Sequence, residues 1–250
     1  MLGHDRWALA GMAPLPDWRQ MLAEALEFAG AYDVDPRTVL DAVEKAAVDY
    51  AIGKGVIIVA AAGNSGQAGM GFPGAYAPVI SVAASGWTGQ WLPGADGNAG
   101  NWWWADDVAD PTDPADFYIA DFSSRAKTGQ DLDVAAPGSW VVGPYQLNSS
   151  NNSSFFYLNG TSMAAPHVAG IVALMAQQNP QLTAAQAETT LEGTAIPLPP
   201  GTRTVRAPSG AIVTQSWGAD ATGAGLVSAE GALGLAIEIS ATPGRRKVRQ

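Results

Sequence analysis

In Asn159-Gly160-Thr161-Ser162-Met163-Ala164-Ala165-Pro166-His167-Val168-Ala169-Gly170, a hydroxyl stands where a glycine turn enters an apolar helix. A serine so placed can act as a nucleophile. Glycine lets a substrate backbone approach, and a helix N-terminus offers unbonded N–H groups and partial positive charge to an oxyanion. Taken alone, the same residues also describe a serine that only caps a helix. A second segment, Ala60-Ala61-Ala62-Gly63-Asn64-Ser65-Gly66, follows an apolar run that reads as a strand. Asn64 then sits just past a strand's carboxyl end, where open α/β sheets place their ligands, with an amide N–H to donate. Asn-Ser-Gly is equally an ordinary turn sequence, so each motif alone leaves its role open.

The elements that must hold these groups are legible from spacing. Asp35-Pro36-Arg37-Thr38 reads as an N-cap followed by proline at the first helical position, and Val39, Val43, Ala47 and Tyr50 continue a helix over about 36–52. Gly53 and Gly55 end it, and the apolar run 56–62 predicts a strand covered on both faces of a parallel sheet. Residues 79–84 and 132–136 are further short strand candidates, and 163–178 reads as a buried helix, apolar nearly all round. Thr183 with Gln186 forms a capping box for a helix over 184–192, whose exposed face carries Glu188 and Glu192. Residues 148–154 form a polar tract that reads as a surface loop, and no repeat of fixed period occurs.

Composition narrows the function classes. The chain has 250 residues, enough for one large domain or two small ones, and its 47% hydrophobic and 14% charged content excludes disorder for the bulk of it. Thirteen Lys+Arg against 23 Asp+Glu give a net charge of -10, which repels a phosphate backbone and disfavours nucleic acid and anionic membranes as partners. There is no cysteine, which excludes disulfides, thiolate zinc sites and cysteine nucleophiles but leaves the redox compartment open. The longest nearly unbroken apolar run, 168–176, falls far short of the ~20 residues of a membrane span, so no transmembrane segment is predicted. Met1-Leu2-Gly3-His4-Asp5 has neither a basic leader nor an apolar stretch of signal-peptide length.

Taken together, the two motifs, in this order and about 100 residues apart, resemble the C-terminal half of a subtilisin-like serine protease. Gly71-Phe72-Pro73-Gly74-Ala75-Tyr76, Val79-Ile80-Ser81-Val82-Ala83, Phe122-Ser123-Ser124 and Leu132-Asp133-Val134-Ala135-Ala136-Pro137-Gly138 look like that family's intervening blocks, and the resemblance covers about 53–235. It implies an α/β fold with a mostly parallel sheet and helices on both faces, here an incomplete domain. It implies Ser162 as nucleophile and Asn64 with the Ser162 N–H as oxyanion hole, each donor worth ~2.7–4 kcal/mol in such enzymes. Ala61, Ala62, Gly63 and Gly71 would line a roomy pocket for the side chain preceding the scissile bond. The implied organisation is an N-terminal segment 1–52, the C-terminal part of the catalytic domain over 53–239 and a basic tail 240–250. No metal ligand is assigned, no cofactor is required, and secretion follows from family habit alone.

The resemblance is incomplete. The family's Asp-Ser/Thr-Gly and His-Gly-Thr motifs should precede Asn64, and neither is present. Of the two histidines, His4 lacks the following Gly-Thr, and His167 lies five residues after Ser162, roughly 140° around the helix at ~100° per residue, where it cannot serve as base. A serine without a positioned base is a weak nucleophile, so the chain as written is expected to be nearly inactive by itself. Met1-Leu2-Gly3 resembles the end of the family's substrate-aligning strand, which suggests truncation, with the missing N-terminal half of the domain as a partner. A non-catalytic, peptide-binding pseudoprotease is the alternative. The segment 87–119 replaces a usually short connection and holds Trp87, Trp91, Trp102, Trp103 and Trp104 with six aspartates and no Lys or Arg. Three readings of it stand: a calcium site at Asp96-Gly97-Asn98 or the carboxylates of 106–116, a solvated acidic loop pinned by buried tryptophans, or a recognition surface that makes the protein an adhesion or scaffold piece.

Overall fold

The computed structural model describes residues 36–91, 108, 110–147 and 153–241. Contacts group the chain into two units, Met1–Val48 and Asp49–Gln250, and the division falls inside the first described helix, α1 (Pro36–Gly53). Pro36 opens α1 where its missing N–H costs nothing. Past its end Gly55 takes φ 84, and the Val56 and Gly55 N–H groups bond back to the Ala51 and Ile52 carbonyls. The left-handed residue thereby satisfies carbonyls that the helix end would leave free.

In the second unit, β2 (Ile80–Trp87) is the centre of a mixed, mainly parallel sheet. Its first half pairs in parallel with β1 (Val59–Ala61), Val59 opposite Ile80, and its second half pairs antiparallel with β3 (Phe117–Ile119), Ser85 opposite Ile119. The other edge of β2 pairs in parallel with β4 (Val134–Pro137), Val82 opposite Val134, and a further parallel bridge joins Ala135 to Leu226. The hairpin β5 (Val141–Leu147) and β6 (Ser153–Leu158) follows and leads straight into α2 (Thr161–Gln178). Then come α3 (Ala184–Thr194), a second hairpin of β7 (Gly201–Arg206) with β8 (Ile212–Trp217), and α4 (Ala229–Ala241).

The pleat sorts the core into two layers. Ile80, Val82, Val134 and Ala136 meet Val168, Val172 and Met175 of α2, backed by Leu191 of α3 and Ala232 of α4. Ala83 and Ala135 point the other way, into a cluster with Tyr118, Leu198, Val205 and Trp217, so this face is closed by the β7/β8 hairpin and loop segments. Fully burying one Val or Ile is worth about 1.5–3 kcal/mol, and it is this pair of layers that fixes where β1 ends and α2 begins.

Several expectations change. The run 56–62 is not covered on both faces: β1 has three half-buried residues, and Val56 is 48% exposed. Among the described residues β1 pairs with β2 alone, which leaves its outer edge open. α2 is not buried all round either. Ala164, Val168, Ile171, Val172 and Met175 form its buried stripe, while Ala169, Gly170, Ala173 and Leu174 are exposed. The capping box is present, with Gln186 N–H on Thr183 Oγ1 at 3.2 Å and Thr183 N–H on Gln186 Oε1 at 3.0 Å. Glu188 and Glu192, expected on a solvent face, are half-buried. Ser153 and Ser154, expected in a loop, open β6, and the far end of the tryptophan-rich segment supplies β3. The N-terminal residues before 36, Trp102, Trp103, Trp104, the tract 148–152 and the tail beyond 241 lie outside the described residues.

Candidate active site

Parallel pairing carries the chain past β1, with Ala62 N–H on the Val82 carbonyl, and at Gly63 it turns with φ 105. A side chain on Gly63 would meet Ser124 Oγ at 3.0 Å, so glycine answers both the conformation and the close approach. Three hydrogen bonds then join this strand end to the start of α2, 97 and 98 residues away. Thr161 N–H donates to Asn64 Oδ1 at 2.9 Å, Thr161 Oγ1–H donates to the same oxygen at 2.9 Å, and Gly63 N–H donates to Thr161 Oγ1 at 3.1 Å.

This wiring orients the asparagine. Oδ1 accepts two bonds, so the amide NH2 is the end left over, and it lies beside Gly160, where a Cβ would stand 3.5 Å from it. Thr161 is fully buried, whereas the next residue, Ser162, is exposed, and its Oγ has no hydrogen-bond partner among the described residues. As the second residue of α2, Ser162 keeps its N–H outside the intrahelical ladder. Asn64 and Ser162 are thus brought to one place, each with a free donor. Thr161 is the residue that sequence reasoning missed. Its signal lay in the Gly-Thr-Ser triplet, but its partners lie almost a hundred residues away.

The four expected pocket residues cluster beside this site. Gly71 N–H donates to the Ala62 carbonyl at 2.9 Å, and the Gly71 carbonyl accepts from Ala75 N–H at 2.9 Å. Ala62 is fully buried and contributes backbone, Ala61 and Gly63 are half-buried, and the space beside Gly71 is open. Phe72, 53% exposed, stands at this rim with its ring 4.5 Å from that of Tyr76.

His167 is exposed, and its Nδ1 lies 2.8 Å from the Met163 carbonyl one turn back, so the ring is bonded to its own helix. It is the only histidine among the described residues, because His4 lies outside them. Of the segment's candidate calcium ligands, Asp110 accepts Thr112 N–H and Oγ1–H, and Asp113 accepts Ala115 N–H to cap a short 3-10 turn. Both carboxylates close local turns. Asp96, Asp106 and Asp107 lie outside the described residues.

A carboxylate cluster occurs elsewhere. One oxygen each from Asp131, Asp133 and Glu188 lie within 4.8 Å of one another. Asp133 Oδ2 accepts Ser81 N–H at 2.6 Å and Ser81 Oγ–H at 2.7 Å, while Oδ1 is buried without a partner. Burial pushes the Asp133 carboxyl up against the lowering effect of those bonds. Burial first, then the charges of Asp133, Glu192 and Asp131, push Glu188 up to about 7. An orphaned carboxylate oxygen amid hard oxygen donors is a set that suits calcium.

The sequence profile of the subtilase family of S8 peptidases matches residues 18–232. Subtilisin DY of Bacillus licheniformis is 37% identical over 155 residues, 60% of this chain and 43% of that protein. Thermitase of Thermoactinomyces vulgaris is 36% identical over 132 residues, 53% of this chain and 34% of that protein. Among solved structures, a protease from Pseudoalteromonas arctica superposes with a TM-score of 0.50 at 27% identity, covering 76% of this chain and 45% of that one. Fervidolysin from Fervidobacterium pennivorans, a keratinolytic enzyme related to subtilisin, gives a TM-score of 0.50 at 29% identity, covering 75% of this chain and 24% of that one. The chain therefore spans less than half the length of each of these four proteins, and within that span it belongs to the subtilase family.

Proposed function

We propose that this chain carries the nucleophile and oxyanion half of a serine endopeptidase site. Ser162 Oγ attacks a peptide carbonyl carbon, its proton passing to an imidazole base from the family's His-Gly-Thr motif, which the described residues do not contain. The developing oxyanion is held by the Asn64 amide NH2 and the Ser162 N–H. Protonation of the leaving amine by the imidazolium frees it, and water then hydrolyses the acyl-enzyme. Ala61, Ala62, Gly63 and Gly71 receive the side chain preceding the scissile bond. The observation that carries this reading is the double acceptance at Asn64 Oδ1, which leaves the amide donor beside the Ser162 turn.

The open β1 edge and the exposed Ala169, Gly170, Ala173 and Leu174 of α2 support a partner that completes the sheet and brings Asp and His, namely an N-terminal half of the same domain. Secretion belongs to the same proposal. No described helix is long and apolar enough to cross a membrane. Calcium, if bound, would be held by Asp131, Asp133 and Glu188 and would supply charge neutralisation to the fold; an increase in Tm on adding calcium chloride that disappears in Glu188→Gln is the expected result. The proposal is tested by assaying the longest natural form of the protein on a fluorogenic peptide. Ser162→Ala abolishes turnover, and cleavage surviving that change overturns the reading.

A second reading, a peptide-binding pseudoprotease, draws on His167, the one histidine among the described residues, being bonded to the Met163 carbonyl of its own helix rather than to Ser162. It takes the lead when the longest natural form binds peptides in the same cleft and leaves them uncut.

A further inference from the structure

A cavity of about 200 Å³ lies where the β7/β8 hairpin meets the start of β5 and the end of β6, and the proposed chemistry does not use it. Its lining holds three side-chain donors with no partner among the described residues, one of them buried. Arg206 is anchored through Nη1 to the Gly210 carbonyl at 3.0 Å, yet its Nε is buried without a partner. Gln215 spends its Oε1 on Asp121 N–H at 2.8 Å, and Asn159 spends its Oδ1 on Trp140 N–H. Both amides are thereby oriented, and each keeps an NH2 with no acceptor among the described residues. Asp121, the carboxylate in the lining, is exposed, and after Asp220 its charge is the next to act on the buried guanidinium of Arg125. A guanidinium N–H removed from water with no acceptor is costly, and a carboxylate is the group that satisfies it best.

The cavity borders both motifs of the candidate site. Asn159 stands three residues before Ser162, and Gly160 N–H is fixed on the Gly138 carbonyl at 2.8 Å. Phe122, also in the lining, accepts Gly66 N–H at 2.9 Å and so lies against the turn that carries Asn64. None of Ala61, Ala62, Gly63 and Gly71 lines it. We propose that this cavity is a carboxylate subsite, which receives an Asp or Glu side chain of the polypeptide on the leaving-group side of the scissile bond, with Arg206 as the specificity-determining cation. The word substrate here rests on the endopeptidase reading; the binding of the carboxylate does not require cleavage.

The experiment uses the full chain and blocked hexapeptides that differ only in Glu or Gln, placed at each position in turn, with affinity read by calorimetry. At one position Glu binds tighter than Gln by on the order of tenfold, as a charge-assisted bond to a desolvated donor should give. Arg206→Gln brings that ratio to about one, and Arg206→Lys, which keeps the charge and the hairpin, retains part of it. Equal binding of every Glu and Gln pair, or a ratio unchanged in Arg206→Gln, overturns the proposal. A preserved Glu preference with no cleavage by the longest natural form defeats the endopeptidase reading and leaves the carboxylate subsite standing. Ser162-dependent cleavage with no Glu preference does the reverse.

Discussion

Thr161→Val is the sharpest probe of how the site is wired. Valine matches threonine in shape but removes the hydroxyl that donates to Asn64 Oδ1 and accepts from Gly63 N–H. The bond from Thr161 N–H to Asn64 survives, so the loss is two neutral hydrogen bonds at about 1 kcal/mol each. The Gly63 N–H, left without an acceptor in a half-buried turn, sets the upper end, and the sum is a destabilisation of about 2–3 kcal/mol. Thr161→Ser keeps the oxygen and removes one buried methyl group, at about 1 kcal/mol. Urea unfolding followed by tryptophan fluorescence should therefore rank wild type above Thr161→Ser and that above Thr161→Val, with unchanged m-values. Hydrogen exchange at the Gly63 amide should accelerate in the valine variant alone. A valine variant as stable as the serine variant, with Gly63 still protected, refutes the claim that this hydroxyl joins strand end to helix start.

Three further outcomes follow from particular contacts. Glu188, raised to about 7 from 4.5, holds its proton more tightly folded than unfolded, so its contribution is complete below about pH 4.5 and is lost as pH rises through 7. In EDTA, wild type should lose stability between pH 5 and 8 by more than Glu188→Gln does, and parallel profiles contradict the cluster. Trp91 is 3% exposed, with its ring 4.8 Å from that of Tyr157 and 5.6 Å from that of Trp140. Trp91→Ala should cost about 3–5 kcal/mol in urea unfolding, and Trp91→Phe much less, because the indole N–H it discards has no acceptor. A Cβ on Gly74 would stand 2.5 Å from the Ala61 carbonyl oxygen, so Gly74→Ala should lower stability by about 1–3 kcal/mol by forcing the 71–76 segment off the end of β1; an unchanged urea midpoint argues against that contact.

What the sequence disclosed and what it hid divide by range. The capping box at Thr183 and Gln186 was legible because its partners lie three residues apart, and α1 because proline and glycine act on their own neighbourhood. The positions of Asn64 and Ser162 were legible because each stands at the junction of two recognisable elements. Thr161 was not, since a hydroxyl after a glycine says nothing about an asparagine 97 residues earlier. Glu188 reads as a solvent-face residue on helical periodicity, and only the fold brings Asp131 and Asp133 against it. The apolar run 56–62 predicts burial on both faces because hydropathy reports what a strand can bury, whereas the neighbours available decide what it does bury. The strand β3 lay hidden because Phe117-Tyr118-Ile119 is too short to show alternation, and its pairing comes from the free edge of β2.

The site also separates into parts that different physics supports. The proposed oxyanion donor Asn64 is oriented by hydrogen bonds internal to this chain, between Gly63, Asn64 and Thr161, and these need no histidine to form. The proposed nucleophile is different: Ser162 Oγ is unbonded among the described residues, and on that reading its reactivity waits on a base. In serine proteases stripped of their triad, the oxyanion hole and substrate binding alone still leave about 10³–10⁴-fold acceleration over water. On the proposed reading, the groups that would recognise a tetrahedral oxyanion are held within this chain independently of any base. Affinity for an aldehyde or boronate peptide must accordingly depend on Asn64 whether or not peptide bonds are cut, and Asn64→Leu should weaken such a ligand while leaving the neutral parent peptide bound. Were both ligands to bind Asn64→Leu as they bind wild type, the donor end of the asparagine would have no claim on the oxyanion.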